Sequence, residues 1–309
     1  MEVLRHSATS PRRFVAPVLT LGNFDGVHRG HQTILGRVAE VAHAGGGEAV
    51  ALTFSPHPVA VLRPDRAPAL ITALRDKIRL MAATGIDVLV VQHFTPVFAE
   101  LSAETFIERF VVQRLRATKL VVGHSVSFGH ERRGDAALLT ALGKRFGFDV
   151  EIVGPIRIDG CDVSSSAVRR AIAAGDVSLA AALLGRPHRL GGRVVHGRQR
   201  GASIGFPTAN VRVRAGMLPP DGVYAVRVQH REASHDGVAS IGTNPTFGNA
   251  PRTLEAHLFD FDADLYGERV SVSFVERLRG EIMFPSVDAL AAQIGRDAEQ
   301  ARTILAARP

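Results

Sequence analysis

The chain has 309 residues, 46% hydrophobic and 22% charged, the balance of a folded protein with room for one large or two ordinary domains. No apolar run approaches the ~20 residues of a membrane span, the opening MEVLRHSATSPRRF lacks the apolar centre of a secretory signal, and the single cysteine, Cys161, excludes an internal disulfide. A cytoplasmic protein is expected. The net charge of +7 is carried almost wholly by arginine, Lys77, Lys119 and Lys144 being the only lysines. The basic clusters PRR, ERR and GRQR are short, so small anionic ligands are favoured over nucleic acid.

The first half alternates apolar runs with helical periods. Strands are expected at FVAPVLTLGN (14–23), EAVALTF (48–54), DVLVVQHF (87–94), KLVVGH (119–124) and DVEIVG (149–154). Amphipathic stretches at 31–45 and 102–117 lie between them. Val- and Leu-rich strands separated by helices predict a doubly wound α/β domain with a parallel sheet. Residues 164–185 read as two helices broken at Gly175-Asp176. Pro187 and the glycines after it then mark a change of texture, with domains expected at 1–186 and 187–309. Beyond it the period is two. In VYAVRV, Tyr224, Val226 and Val228 share a face, as do Val270, Val272 and Phe274 in VSVSF. Short strands between glycine and proline turns predict an antiparallel β-barrel, closed by a helix over 286–307 with Ser286 as N-cap.

Chemistry concentrates first at GNFDGVHRGHQ, where the first strand hands over to a helix. Ligands of open α/β sheets bind at such carboxyl ends, Gly22 and Gly26 let the backbone turn tightly, and a helix N-terminus attracts anions. His28 and His31, three apart, share one side of that helix. They could donate to a phosphate, bind a metal for which no third ligand is spaced, or simply cap the helix. VSSSAVRR favours the phosphate, because Ser164, Ser165 and Ser166 offer hydroxyls at another helix start and Arg169 can grip a polyphosphate. In the second half, GRVVHGRQRGASIGFPTANV has glycines at 197, 201 and 205, the mark of a loop expected to move on nucleotide binding. Thr208 and Asn210 follow on one face, either hard ligands for Mg²⁺ beside phosphates or parts of a Pro-Thr turn. Glu255 and His257 alternate with Leu254, Ala256 and Leu258, which leaves Glu255 a base or a solvated strand residue.

GNFDGVHRGHQ with the later SSSAVR resembles the HxGH and SSTxxR-type signatures of nucleotidyl transferases. TFSPHP (53–58), LSAETFIERFVV (101–112) and FGHERRGD (128–135) extend the likeness to the adenylyltransferase half of bifunctional riboflavin kinase/FAD synthetases. FPTAN, LPPDGVYAVRV, ASIGTNPTFG, TLEAHLFDFDADLYGERV and RLRGEIMFPSVDAL resemble the kinase half of that family, so the likeness spans about residues 15–305.

The resemblance implies two ATP-dependent steps, riboflavin to FMN and FMN to FAD, with Mg²⁺ accompanying ATP and the flavins as substrates and products. In the first half it implies His28 and His31 as charge-stabilising catalytic groups. Gly22, Phe24, Gly30, Ser164, Ser165 and Arg169 would hold ATP, with Ser166 where the family usually has threonine. Phe54, Pro56, His57, Pro58, Ser125 and Phe128 would line the flavin pocket. In the second half it implies Thr208 and Asn210 as metal ligands, Gly201, Gly205, Pro207 and Arg279 around ATP and flavin, and Glu255 as base. One departure stands out: GHSVSFG has Ser125 and Val126 where the family commonly reads an amide or acid and then an aromatic. Serine reaches less far, so a weakened FMN site is expected. Two other outcomes follow from the same residues: a riboflavin kinase with an impaired adenylyltransferase half, or a regulator that binds flavin or RNA on these folds. Oligomeric state stays open.

Overall fold

A computed structural model of the chain describes residues 1–5, 12–197, 204–243 and 252–308. They form two compact units, Met1–Ala69 with Ala73–Ser164, and Leu70–Thr72 with Ser165–Pro309.

In chain order the first unit comprises β1 (Glu2–Arg5), β2 (Val18–Leu21), α1 (Arg29–Ala44), β3 (Ala49–Ser55), α2 (Pro58–Leu62), α3 (Leu74–Ala82), β4 (Val88–His93) and α4 (Pro96–Ala99). There follow α5 (Ala103–Phe106), β5 (Lys119–Gly123), α6 (Ala136–Phe146), β6 (Asp149–Val153) and a small hairpin, β7 (Arg157–Ile158) and β8 (Cys161–Asp162). Six strands form a parallel sheet in the order β1-β4-β3-β2-β5-β6. The near-continuous apolar strands are explained by burial on both faces. Leu19, Leu21, Val50, Leu52, Val88, Val90, Leu120 and Val122 pack with Phe106, Ile107, Val111 and Leu139 on one side. Val18, Ala49, Ala51, Leu89, Val91 and Val121 pack with Leu35, Val38 and Met81 on the other. After β2 the chain adds β3 and β4 to one side and then β5 to the other, which makes the β2/β5 junction the switch point of the sheet.

The five expected strands are present. The edge strand β1 and the hairpin were not expected, being too short to show a period. The amphipathic stretch at 102–117 starts as α5 and widens into a π-helix over Ile107–Arg114. Its wider turn carries bonds such as Leu115 N–H to the Phe110 carbonyl, 3.0 Å, and stacks Phe106 on Phe110 with centroids 5.6 Å apart.

The second unit holds α7 (Ser165–Ala174), α8 (Val177–Leu184), six strands β9 (His188–Val195), β10 (Ala209–Val213), β11 (Gly222–His230), β12 (Ala233–Gly242), β13 (Thr253–Leu258) and β14 (Arg269–Arg279), and α9 (Val287–Ala306). The helical pair breaks at Gly175, in the left-handed region at φ +78°, and Asp176 caps α8 by accepting from Leu179 N–H at 2.8 Å. The strands close an antiparallel barrel in the order β10-β13-β12-β11-β14-β9. Tyr224, Val226, Val228, Leu254, Ala256, Val270, Val272 and Phe274 fill its interior, as the period-two pattern requires. Ala225, Val238 and Val275 lie outside and are covered by Ala301 and Leu305 of α9, whose N-cap Ser286 accepts from Ala289 N–H at 3.1 Å. Val177 joins the barrel cluster. Compactness therefore groups α7 and α8 with the barrel, dividing the chain at 164/165 rather than at the expected 186/187.

Candidate active sites

The first candidate site lies where β2 ends at the switch point. From Gly22 the backbone turns through three left-handed residues, Phe24 (φ +48°), Gly26 (φ +85°) and Val27 (φ +40°), before α1 begins. His28 is the N-cap of that helix: its Nδ1 accepts from the His31 amide at 3.3 Å. Since Nδ1 accepts, the ring proton of the neutral imidazole sits on Nε2. The His31 ring stacks on His28 with centroids 3.5 Å apart and meets the Phe24 ring edge-on at 5.2 Å. Burial first, then the neighbouring His28 and Lys77, hold His31 well below the usual histidine range, and its Nδ1 is buried without a hydrogen-bond partner. The stack explains Gly30: a Cβ there would lie 3.3 Å from the His28 ring. The same Cβ would be 3.6 Å from the Val163 carbonyl, so the chain leading into Ser164 passes the head of α1. Ser165, Ser166 and Arg169 sit on the first turns of α7, in the second unit.

Beyond β3, Phe54 begins an aromatic wall. Its ring centroid is 5.7 Å from Phe94, 5.8 Å from Phe98 and 6.5 Å from Phe106. Phe98 reaches Phe110 at 5.1 Å and Phe106 reaches Phe128 at 6.1 Å. Phe106 and Phe128 are buried, whereas the others keep part of their surface open. The expected pocket residues Phe54 and Phe128 are thus joined by Phe94, Phe98, Phe106 and Phe110. The sequence signal for these four was the spacing of two pairs four apart. Pro56 follows a cis peptide bond. His57 caps α2 by accepting from Val59 N–H at 3.3 Å, and Pro58 takes its first turn. Ser125 is exposed in the turn after β5, while Val126 packs against the sheet core.

The second candidate site is on the outer face of the barrel. Asn210 and Glu255 are directly paired between β10 and β13, and Glu255 is paired in turn with Ser240 of β12. Thr208 Oγ1 donates to Glu255 Oε2 at 3.4 Å. Thr208, Asn210 and Glu255 are all part-exposed, and they present a hydroxyl, an amide and a carboxylate together. Gly197 closes over this group, since a Cβ there would collide with the Asn210 amide. Next to it His257 Nδ1 donates to the Pro207 carbonyl at 2.8 Å, tying the FPTAN segment to β13. Gly205 is left-handed at φ +84°; Gly201 lies outside the described residues. The Arg279 guanidinium donates to both carboxylate oxygens of the buried Asp297 of α9, at 2.7–3.1 Å. His257 and Ser240 were missed as neighbours of Glu255, because strand register and the Pro207 contact bring them there. Among the described residues no three His, Cys, Asp or Glu side chains converge on a metal position, so a cation here needs hydroxyl and amide oxygens.

A parallel-sheet site at a helix N-terminus and a barrel site of hydroxyl, amide and carboxylate together define a two-site transferase acting on nucleotide phosphates. Residues 11–167 match the family described as FAD synthetase and residues 184–305 the family described as riboflavin kinase. A bifunctional riboflavin kinase/FMN adenylyltransferase of Haemophilus influenzae is 41% identical over 303 residues, 98% of each chain. The protein of that name from Escherichia coli K12 is 43% identical over 92% of this chain and 91% of its own. A solved structure from Streptococcus pneumoniae, described as a macrolide-efflux protein, superposes with a TM-score of 0.88 at 32% identity, covering 98% of this chain and 99% of its own. No helix among the described residues here is long and apolar enough to cross a membrane. The chain belongs to the bifunctional riboflavin kinase/FMN adenylyltransferase family.

Proposed function

We propose that this enzyme phosphorylates riboflavin at its barrel and adenylylates the resulting FMN at its parallel-sheet unit, each time from ATP. The observation that carries the assignment of sites is the clustering of Thr208, Asn210 and Glu255 on one barrel face, apart in sequence from the stacked His28–His31 pair at a helix head.

In the kinase step the ribityl 5′-hydroxyl attacks the γ-phosphorus, its proton passes to Glu255, and ADP leaves. Thr208 and Asn210 orient the triphosphate, and their oxygens are the hard donors that would suit Mg²⁺. When bound, that ion supplies charge neutralisation on the phosphates. In the adenylyl step a phosphate oxygen of FMN attacks the α-phosphorus and pyrophosphate leaves. The attacking oxygen is already ionised, so alignment and charge stabilisation matter most. The His28 Nε2 proton and the amides opening α1 supply that stabilisation, and Ser164, Ser165, Ser166 and Arg169 hold the triphosphate, which extends the functional first domain to about residue 186. The Phe54–Phe128 wall offers the flavin ring an apolar stacking surface. Ser125, exposed and short, gives the flavin side a weaker polar contact than an amide. The cytoplasm, where ATP is made and used, is the proposed compartment.

Isotopic label separates the steps. γ-labelled ATP is expected to leave label in FMN, and α-labelled ATP in FAD together with unlabelled pyrophosphate. Label from the γ position alone would leave only the kinase half working, and label in neither product would sink the assignment.

A further inference from the structure

One buried cation in the first unit is used by neither step. Lys77, on α3, is 7% exposed, and its Nζ donates to the Asn23 carbonyl at 3.0 Å and to Thr53 Oγ1 at 3.1 Å. Thr53, fully buried at the end of β3, donates to the same carbonyl at 3.2 Å. Asn23 opens the left-handed stretch through Phe24, Gly26 and Val27. Left-handed backbone is unfavourable for residues with side chains and persists only where its surroundings hold it. The charged groups that face Lys77 are Asp25 of the loop, which attracts the ammonium, and His31 of α1, which is disfavoured as a cation by it; His28 stacks on His31.

We propose that Lys77 is a positioning residue for adenylyl transfer: its ammonium clamps the Asn23 carbonyl, fixes the strained turn that presents His28 and His31, and keeps a positive charge beneath the triphosphate. This rests on the assignment of that turn to ATP. A filler of the same shape would need no charge, and a buried ammonium is costly. Burial lowers Lys77 to about 8, with Asp25 opposing. The fixed charge is therefore lost in the alkaline range, and kcat/KM for ATP in FAD formation falls as pH rises through that value. kcat/KM reports the free enzyme, so the bound triphosphate does not mask the group.

The test uses the full chain, whose riboflavin kinase activity is the internal control of folding. FAD formation from FMN and ATP is followed across pH 7–10 in wild type, Lys77→Met, Lys77→Arg and Thr53→Val. Lys77→Met is expected to lose about 10- to 100-fold in kcat/KM for ATP and to lose the alkaline limb, with riboflavin phosphorylation unchanged. Lys77→Arg, permanently charged, regains part of the rate and moves the limb upward. Thr53→Val removes one acceptor of the ammonium, so its limb moves to lower pH, and it decides the matter if Lys77→Met does not fold. Full adenylylation by Lys77→Met, or a limb unmoved in Lys77→Arg and Thr53→Val, overturns the proposal. A wild type that makes FMN but no FAD at any pH overturns the underlying assignment, and the proposal with it.

Discussion

His28 and His31 lie ring on ring, 3.5 Å between centroids and 19° from parallel, with the His31 amide donating to His28 Nδ1. One side chain therefore does two things: it caps α1 through Nδ1 and stacks its ring on His31. Burial first, and then the neighbouring His28 and Lys77, hold His31 well below the usual histidine range.

The two duties of His28 are separable. His28→Asn keeps an N-cap acceptor and removes the ring, whereas His28→Ala removes both. Both variants are expected to lose FAD formation by about 100-fold or more, and both lose the buried ring stack, but His28→Ala loses about 1 kcal/mol more stability because it also loses the cap. Urea denaturation beside a steady-state assay checks this. Equal stability losses in the two variants would deny His28 its capping role.

Lys77 gives a pH effect on stability whose sign is fixed. Its folded pKa, about 8, lies below the 10.5 of an ordinary lysine, so between these values the unfolded chain binds a proton that the folded chain does not. Wild-type stability attributable to Lys77 thus rises with pH across that window, and below it the buried charge costs about 3 kcal/mol, less what its hydrogen bonds return. Lys77→Met is expected to gain on wild type at pH 7 and to lose that advantage by pH 10. Denaturation at the two pH values tests it; a pH-independent difference would contradict it.

Ser125 sits exposed in the turn after β5, at the switch point. Ser125→Asn lengthens the polar reach without burying anything and is expected to lower the KM for FMN in adenylyl transfer by several-fold, with riboflavin phosphorylation untouched. An unchanged KM and turnover would show that the serine is no handicap.

Asp297 is 2% exposed and accepts from Arg279 and from Gln293 at 2.8 Å. Removing one member of a buried pair strands the other. Asp297→Ala is expected to cost about 3–5 kcal/mol, and the double change Asp297→Leu with Arg279→Met considerably less. A double-mutant cycle in denaturant measures the difference.

The fold was largely legible in the sequence, because its two periodicities come from burial. Strands such as ALTF and DVLVV bury both faces, whereas VSVSF buries one toward the barrel interior and VYAVRV buries, besides that face, Ala225 under α9. What escaped was too short to show a period, as in β1, or was a local change of helical bonding, as in the π-helix over Ile107–Arg114. The sites were legible only as motifs. GNFDGVHRGHQ marked a candidate phosphate loop, yet nothing in sequence indicated that Lys77, some 50 residues on, reaches the Asn23 carbonyl. Glu255 could be marked as facing away from the apolar side of its strand. Its pairing with Asn210 and Ser240 is a matter of register between strands that no local pattern encodes. Arg279, chosen for its place in RLRGEIMF, turned out to be engaged by Asp297 on α9.

The central claim is that one chain carries two independent transfer sites, one at Glu255 and one at His28. The most direct measurement is a time course of riboflavin, FMN and FAD, separated by chromatography, for wild type, Glu255→Gln and His28→Asn with excess ATP and Mg²⁺. Wild type should accumulate FMN and then convert it to FAD. Glu255→Gln should be slowed about 100-fold or more in making FMN from riboflavin yet convert added FMN to FAD normally, and His28→Asn should stop at FMN. A Glu255→Gln enzyme that phosphorylates riboflavin at the wild-type rate, or a His28→Asn enzyme that still makes FAD at that rate, would contradict the account.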